Sequence, residues 1–168
     1  MSAIEELYKK LEAMEKKVQL LEDKEAIRDV LSRYAFNVDL HRIDHYLRLF
    51  TDNTKPGEMI FLTDGPGEDT ICRSKRELGE FLESVLPKPH PGMQHLQLDY
   101  VIAVTGDTAQ ATGYQLLTLW ENGKFGIMRC ALRTFDFCRE DGIWKIVKTV
   151  SHSTAEGVKC QTHIPQSW

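Results

Sequence analysis

At 168 residues and a formal net charge of −4, the chain is long enough for one domain with a substantial core, and its acidic balance argues against a nucleic-acid surface. No apolar run approaches the roughly 18 residues that a membrane span needs. The opening "MSAIEELYKKLEAMEKK" is charged throughout and lacks the apolar centre of a signal peptide, so a cytoplasmic protein is expected, with neither nucleic acid nor membrane as partner.

In chain order, the first element is a helix. Ile4, Leu7, Leu11, Met14, Val18 and Leu21 recur at alternating spacings of 3 and 4, a heptad stripe. Residues 1–21 are therefore read as an amphipathic N-terminal helix that packs on the body or on a neighbouring subunit. Asp23 is a candidate N-cap for a second helix, whose buried stripe runs through Ile27, Val30, Leu31, Tyr34 and Val38. Asp44 is a candidate cap for a short third helix, "HYLRLFTD". "EMIFL" and "DTICR" flank a Gly- and Pro-rich turn. In "SKRELGEFLESVL", Ser74 and Glu77 have the spacing of a capping box, and "PKPHPG" ends that helix.

Beyond Gly92 the period changes from helix to strand. Four strand candidates, "QHLQLDYVIAV", "AQATGYQLLTLW", "FGIMRCALRTFDFCR" and "IWKIVKTVSHS", are separated by Gly-Asp, Asn-Gly and Asp-Gly, the residues of two-residue hairpins. Helices first and an antiparallel meander after them predict an α+β fold, one sheet wrapped by helices. Residues 22–153 are read as one domain and 154–168 as a polar tail. The four cysteines form no C-x-x-C pair. Cys130 and Cys138 on one strand stand roughly 26 Å apart, too far for a disulfide.

Ideal two-residue turns set a trial register. They pair His95 with Thr118, Asp99 with Tyr114, Leu116 with Arg129 and Ala131 with His152. Side-chain alternation then gathers His95, Asp99, Tyr114, Arg129 and His152 on one face, with Leu96, Leu98, Tyr100, Ile102, Leu117, Met128, Cys130 and Leu132 on the other. The apolar face is a core or an oligomer interface. The polar face is either solvent-exposed or the wall of a reactive pocket.

"LEDKEAIRDVLSRYAFNVD…YLRLFTDN", "GDTAQATGY" and "REDGIWKI" together resemble SnoaL-like proteins of the nuclear-transport-factor-2-like superfamily, over roughly residues 20–153. The resemblance implies a cone: a curved antiparallel sheet and three helices around an apolar pocket, here with an extra N-terminal helix. Among its members, scytalone dehydratase and bile-acid 7α-dehydratase are the most alike. Their catalytic tyrosine, aspartate and histidine resemble Tyr34, Asp39 and His95. Their further polar group on the next strand has no direct match, since Thr118 stands near that place; Arg129 or His152 is the candidate substitute.

Each of these residues has a plain structural alternative. Tyr34 is a core phenol bonded to backbone, or it donates to a substrate oxygen on which charge develops. Asp39 caps a loop, or it orients His95. His95 lies on the surface, or it is a general base, a role that suits imidazole because its ordinary pKa lies near 6.5. Tyr114, Thr118, Arg129 and His152 are the candidate substrate contacts. No metal site is expected, because the i, i+4 pair His41 and His45 falls in a turn region. The expected activity is a cofactor-independent lyase or dehydratase for a small, largely apolar hydroxy-carbonyl or aromatic compound. An isomerase or cyclase, or a non-catalytic binding domain, is the alternative. A homo-oligomer, dimer or trimer, is expected from the apolar sheet face and the heptad helix.

Overall fold

In the computed structural model, residues 2–63, 69–86 and 92–153 are described. The elements are α1 (Ala3–Asp39), α2 (Ile43–Leu47), β1 (Phe61–Thr63), β2 (Thr70–Cys72), α3 (Lys75–Val85), β3 (Met93–Thr105), β4 (Thr108–Glu121), β5 (Lys124–Glu140) and β6 (Ile143–Ser153). The fold is α+β, as the order of sequence periods predicts. Six strands form one sheet in the order β2-β1-β6-β5-β4-β3. β1 runs parallel to β6 and all other neighbours are antiparallel, so the sheet is mixed rather than purely antiparallel. The turn after β1 and the tail 154–168 lie outside the described residues.

The helical region 3–39 is one 37-residue helix, not two. No Gly or Pro interrupts residues 3–39, so nothing breaks it at Asp23. Asp23 does not cap. Its buried carboxylate accepts from Arg139 Nη2 at 2.7 Å and Trp144 Nε1 at 3.2 Å, pinning mid-helix to β5 and β6. Burial alone would raise that carboxyl, but hydrogen bonds from Arg139, Trp144 and Gln19 outweigh it and hold it below its ordinary range. The helix from Asp23 onward buries Ile27, Val30, Leu31, Tyr34 and Val38 against the sheet. Every residue from 2 to 22 is exposed. The heptad stripe thus does not pack on the body or cover a pocket.

Asp44 lies in the first turn of α2 and caps nothing; the N-cap is Arg42, without a side-chain bond. At α3, Ser74 Oγ accepts from the Glu77 N–H, while the Glu77 carboxylate accepts from the Arg73 N–H, one residue before the cap. The core lies between helices and sheet: Ile27, Leu31 and Tyr34 from α1, Tyr46 and Phe50 around α2, Leu78 and Leu82 from α3, and Ile102, Phe135, Phe137, Trp144 and Ile146 from the strands.

All three hairpin turns form at the predicted dipeptides. Gly106, Asn122, Gly123, Asp141 and Gly142 adopt positive φ there, as tight hairpins demand. Away from the turns the trial register fails, because each hairpin carries an irregularity. The pairing slips between Leu98 and Val101 on β3, between Leu117 and Thr118 opposite β5, and between Asp136 and Phe137 opposite β6. Each slip adds one residue and reverses which side chains face inward beyond it. His95 therefore pairs with Leu117, Leu117 with Arg129, and Leu132 with both Tyr114 and His152.

Candidate active site

On β3, Ile102 is buried in the core. Strict alternation inward from Ile102 would put Leu98 and Leu96 inside and His95 outside. The bulge at Asp99 and Tyr100, where Asp99 takes φ 50°, reverses that parity. Leu96 and Leu98 come out to solvent, and His95 and Gln97 turn in. The Tyr100 ring tucks over Gly113, where a Cβ would stand 2.7 Å from the ring. The glycine of "ATGY" is thus a close-approach residue that makes room for the bulge. Tyr100 is anchored further by donating to Gln97 Oε1 at 2.5 Å.

The inward faces of β1, β3, β4 and β5, with α1, α2 and α3, line a partly open cavity of about 270 Å³. Its wall is mainly apolar, built from Val38, Phe61, Phe81, Leu82, Val85 and Met93 among others. Its polar groups are Tyr34, Tyr46, Thr63, His95, Gln115, Arg129 and Arg133. A larger, open depression of about 460 Å³ lies near Thr105, Thr108, Asp136 and Cys138. It holds no histidine, tyrosine or arginine, so the smaller cavity is the candidate site.

At the cavity edge, Asp39 ends α1 and its carboxylate meets β3. It accepts from the His95 backbone N–H at 3.0 and 3.1 Å and lies 2.6 Å from His95 Nδ1. A carboxylate on Nδ1 fixes the proton there and leaves the Nε2 lone pair available. Tyr34, on the same cavity wall, is buried, 4.7 Å from the Tyr46 ring and 5.1 Å from the Phe135 ring, centroid to centroid. Its hydroxyl accepts from Arg133 Nη1. The Tyr46 phenol is pushed well above its ordinary pKa by burial first and by the neighbouring Tyr34 next, so it stays neutral. Burial raises the Tyr100 phenol likewise, against the opposing effect of Arg133.

Tyr34, His95 and Arg129 therefore line one cavity, with Asp39 directly behind His95. Arg129 also donates to Thr63 Oγ1 at 2.8 Å. The other expected contacts do not line it. Tyr114 is exposed, because the unbroken alternation of β4 turns Ala109, Ala111 and Gln115 inward and Tyr114 outward, and it shares the outer face with His152, which the β6 slip turns outward. Thr118 is buried, its hydroxyl donating to the Gln94 carbonyl at 3.4 Å. Asp99 sits in the bulge itself. Sequence reasoning missed Gln115 and Arg133. The signal for Arg133 was present: in "RCALRTFDF" it shares a period-2 face with core residues Phe135 and Phe137.

Among the described residues, no three His, Cys, Asp or Glu side chains are placed to hold a metal ion, and no helix is long and apolar enough to cross a membrane. Cys72 and Cys138 are free cysteines. Burial, helped by Glu77, pushes the Cys72 thiol up to about 11.

Comparison with solved structures gives the same fold. An NTF2-like protein with a cystatin-like fold from Novosphingobium aromaticivorans is 20% identical, with a TM-score of 0.72 over 87% of this chain and 90% of its own. A protein of the NTF2-like family from Streptomyces avermitilis, provisionally described as a dehydratase, is 16% identical, with a TM-score of 0.63 over 80% and 97%. A third, from N. aromaticivorans and provisionally described as an aromatic ring hydroxylase, is 24% identical, with a TM-score of 0.63 over 80% and 90%. At these identities the likeness is one of fold. No curated protein matches. The SnoaL-like domain model matches residues 19–150, from just before the Asp23 anchor into β6, and the chain belongs to the SnoaL-like family.

Proposed function

We propose that the protein is a cofactor-independent lyase of the dehydratase type, acting on a small, largely apolar hydroxy-carbonyl or aromatic compound. The observation that carries this reading is the His95–Asp39 pair at the edge of a mostly apolar cavity that Tyr34 also lines. His95 Nε2 takes a proton from the carbon next to the substrate carbonyl. The electron pair moves toward the carbonyl oxygen, where Tyr34 donates a hydrogen bond to the developing negative charge. Asp39 holds the imidazole and stabilises its charged form. The electrons return to form the carbon–carbon double bond as the hydroxyl leaves. The His95 proton goes to that hydroxyl, so water departs and the base is regenerated.

Two measurements test this. A panel of β-hydroxy ketones and acids is followed for the absorbance of a conjugated product. The same panel is followed in D2O by proton NMR for exchange at the acidic carbon. Wild type catalyses elimination or exchange, and His95→Ala loses it by roughly 10²–10⁴-fold, the usual worth of a general base. An active His95→Ala protein overturns the mechanism.

We also propose a homo-oligomer. The support is the amount of exposed apolar surface: Ile4, Leu7, Leu11, Met14 and Val18 along α1, and Leu96, Leu98, Tyr114, Trp120 and Ile127 on the sheet. Contiguous patches of this kind are rare on monomers.

A further inference from the structure

Arg133 is buried, yet its guanidinium has no carboxylate partner among the described residues. Its carbon lies 5.2 Å from the Tyr34 ring centroid, 5.6 Å from Phe61 and 5.9 Å from Phe135. One Nη donates to the Tyr34 hydroxyl. Its Nε has no hydrogen-bond partner, and neither has the Gln115 amide nitrogen nor the Ser151 hydroxyl. All three residues are more than nine-tenths buried. Arg133 and Gln115 line the cavity, and Ser151 faces Arg133 across the β5–β6 pairing.

Aromatic faces and a phenol solvate a guanidinium but do not neutralise it. Guanidinium is charged at every ordinary pH, and a buried charge without a counter-charge is expensive. A planar fork with donors still available, opening on a cavity, is the geometry that receives a carboxylate. We propose that the cavity takes a small organic acid, its carboxylate seated on Arg133 and Gln115. The hydrogen bond between Arg133 and Tyr34 adds a constraint. The carbonyl polarised by Tyr34 and the carboxylate held by Arg133 are neighbours on the ligand, as in an oxo acid. A cavity of roughly 150 Å³ holds a benzene, so this one suits a single ring or short alkyl chain bearing that acid. The assignment of the carbonyl rests on the lyase reading; the seat for the carboxylate does not.

The test uses a pair of probes equal in shape and different in charge, 3-phenylpropionate and 3-phenylpropionamide. Both are titrated calorimetrically into wild type, His95→Ala and Arg133→Gln. Wild type and His95→Ala bind the acid roughly 10- to 100-fold more tightly than the amide, the range for hydrogen bonds to a charged group. Arg133→Gln loses that preference. Equal binding of the two probes to wild type overturns the proposal. So does heat from neither probe up to millimolar concentration, or a preference that survives in Arg133→Gln. The wild-type ratio decides the matter even where Arg133→Gln does not fold. Acid preference without any proton exchange removes the lyase reading and keeps the carboxylate seat; proton exchange with no acid preference does the reverse.

Discussion

The carboxylate of Asp39, the last residue of α1, holds His95 of β3 by both its backbone N–H and its ring Nδ1. One side chain thus docks the helix end on the strand and sets the orientation of the proposed base. Asp39→Asn keeps a similar shape but removes the charge. It lowers kcat by about 10- to 100-fold, as loss of an orienting partner does, with KM little changed. It also lowers stability by about 1–3 kcal/mol, the worth of hydrogen bonds to a charged group. Steady-state kinetics and urea unfolding read the two effects, and an unchanged kcat removes Asp39 from the mechanism.

The bulge on β3 decides which way His95 points. Deleting Asp99 restores simple alternation there and turns His95 toward solvent. Activity is lost while far-ultraviolet circular dichroism keeps its shape. Gly113→Ala tests the same feature more gently. Its Cβ meets the Tyr100 ring and the Leu98 carbonyl at 2.7 Å, and overpacking of this kind costs about 1–3 kcal/mol. A Gly113→Ala protein as stable as wild type in urea contradicts the close approach.

Asp23 makes stability depend on pH. Its carboxyl is held below the ordinary value of 3.8 in the fold. The unfolded chain therefore takes up the proton first as pH falls, and the stabilisation present above that value is lost as pH drops through the lower folded one. Wild type loses more unfolding free energy between pH 6 and pH 3 than Asp23→Asn does. Urea melts at the two pH values measure it, and equal losses in the two proteins refute the assignment.

The exposed α1 stripe and the outer sheet face are both candidates to be covered by a second copy of the chain. Sedimentation at micromolar concentration gives a dimer or trimer rather than a species of 19.3 kDa. Leu11→Lys with Val18→Lys, and separately Leu96→Lys with Leu98→Lys, show which face carries the contact. A wild-type monomer ends the proposal.

Local chemistry wrote much of this protein directly into the sequence. The stripe Ile27, Leu31, Tyr34, Val38 forms the buried face of α1 because helical period alone brings those side chains together. The three hairpins close at Gly106–Asp107, Asn122–Gly123 and Asp141–Gly142 because those dipeptides accept positive φ cheaply. Tyr34, Asp39 and His95 were legible as a set through their resemblance to a family. Tertiary structure decided the rest. Asp23 serves as a lateral anchor rather than a cap because Arg139 and Trp144, more than 110 residues away, arrive beside it. The inward turn of His95 and the outward turn of His152 come from single extra residues in long strands. A period-2 pattern does not reveal such a residue, since its place is set by what packs opposite, as Tyr100 does on Gly113. Arg133 acquired its meaning in the same way: a strand places it on the inner face, but only the three-dimensional packing of Tyr34, Phe61 and Phe135 around it leaves a buried cation facing a cavity.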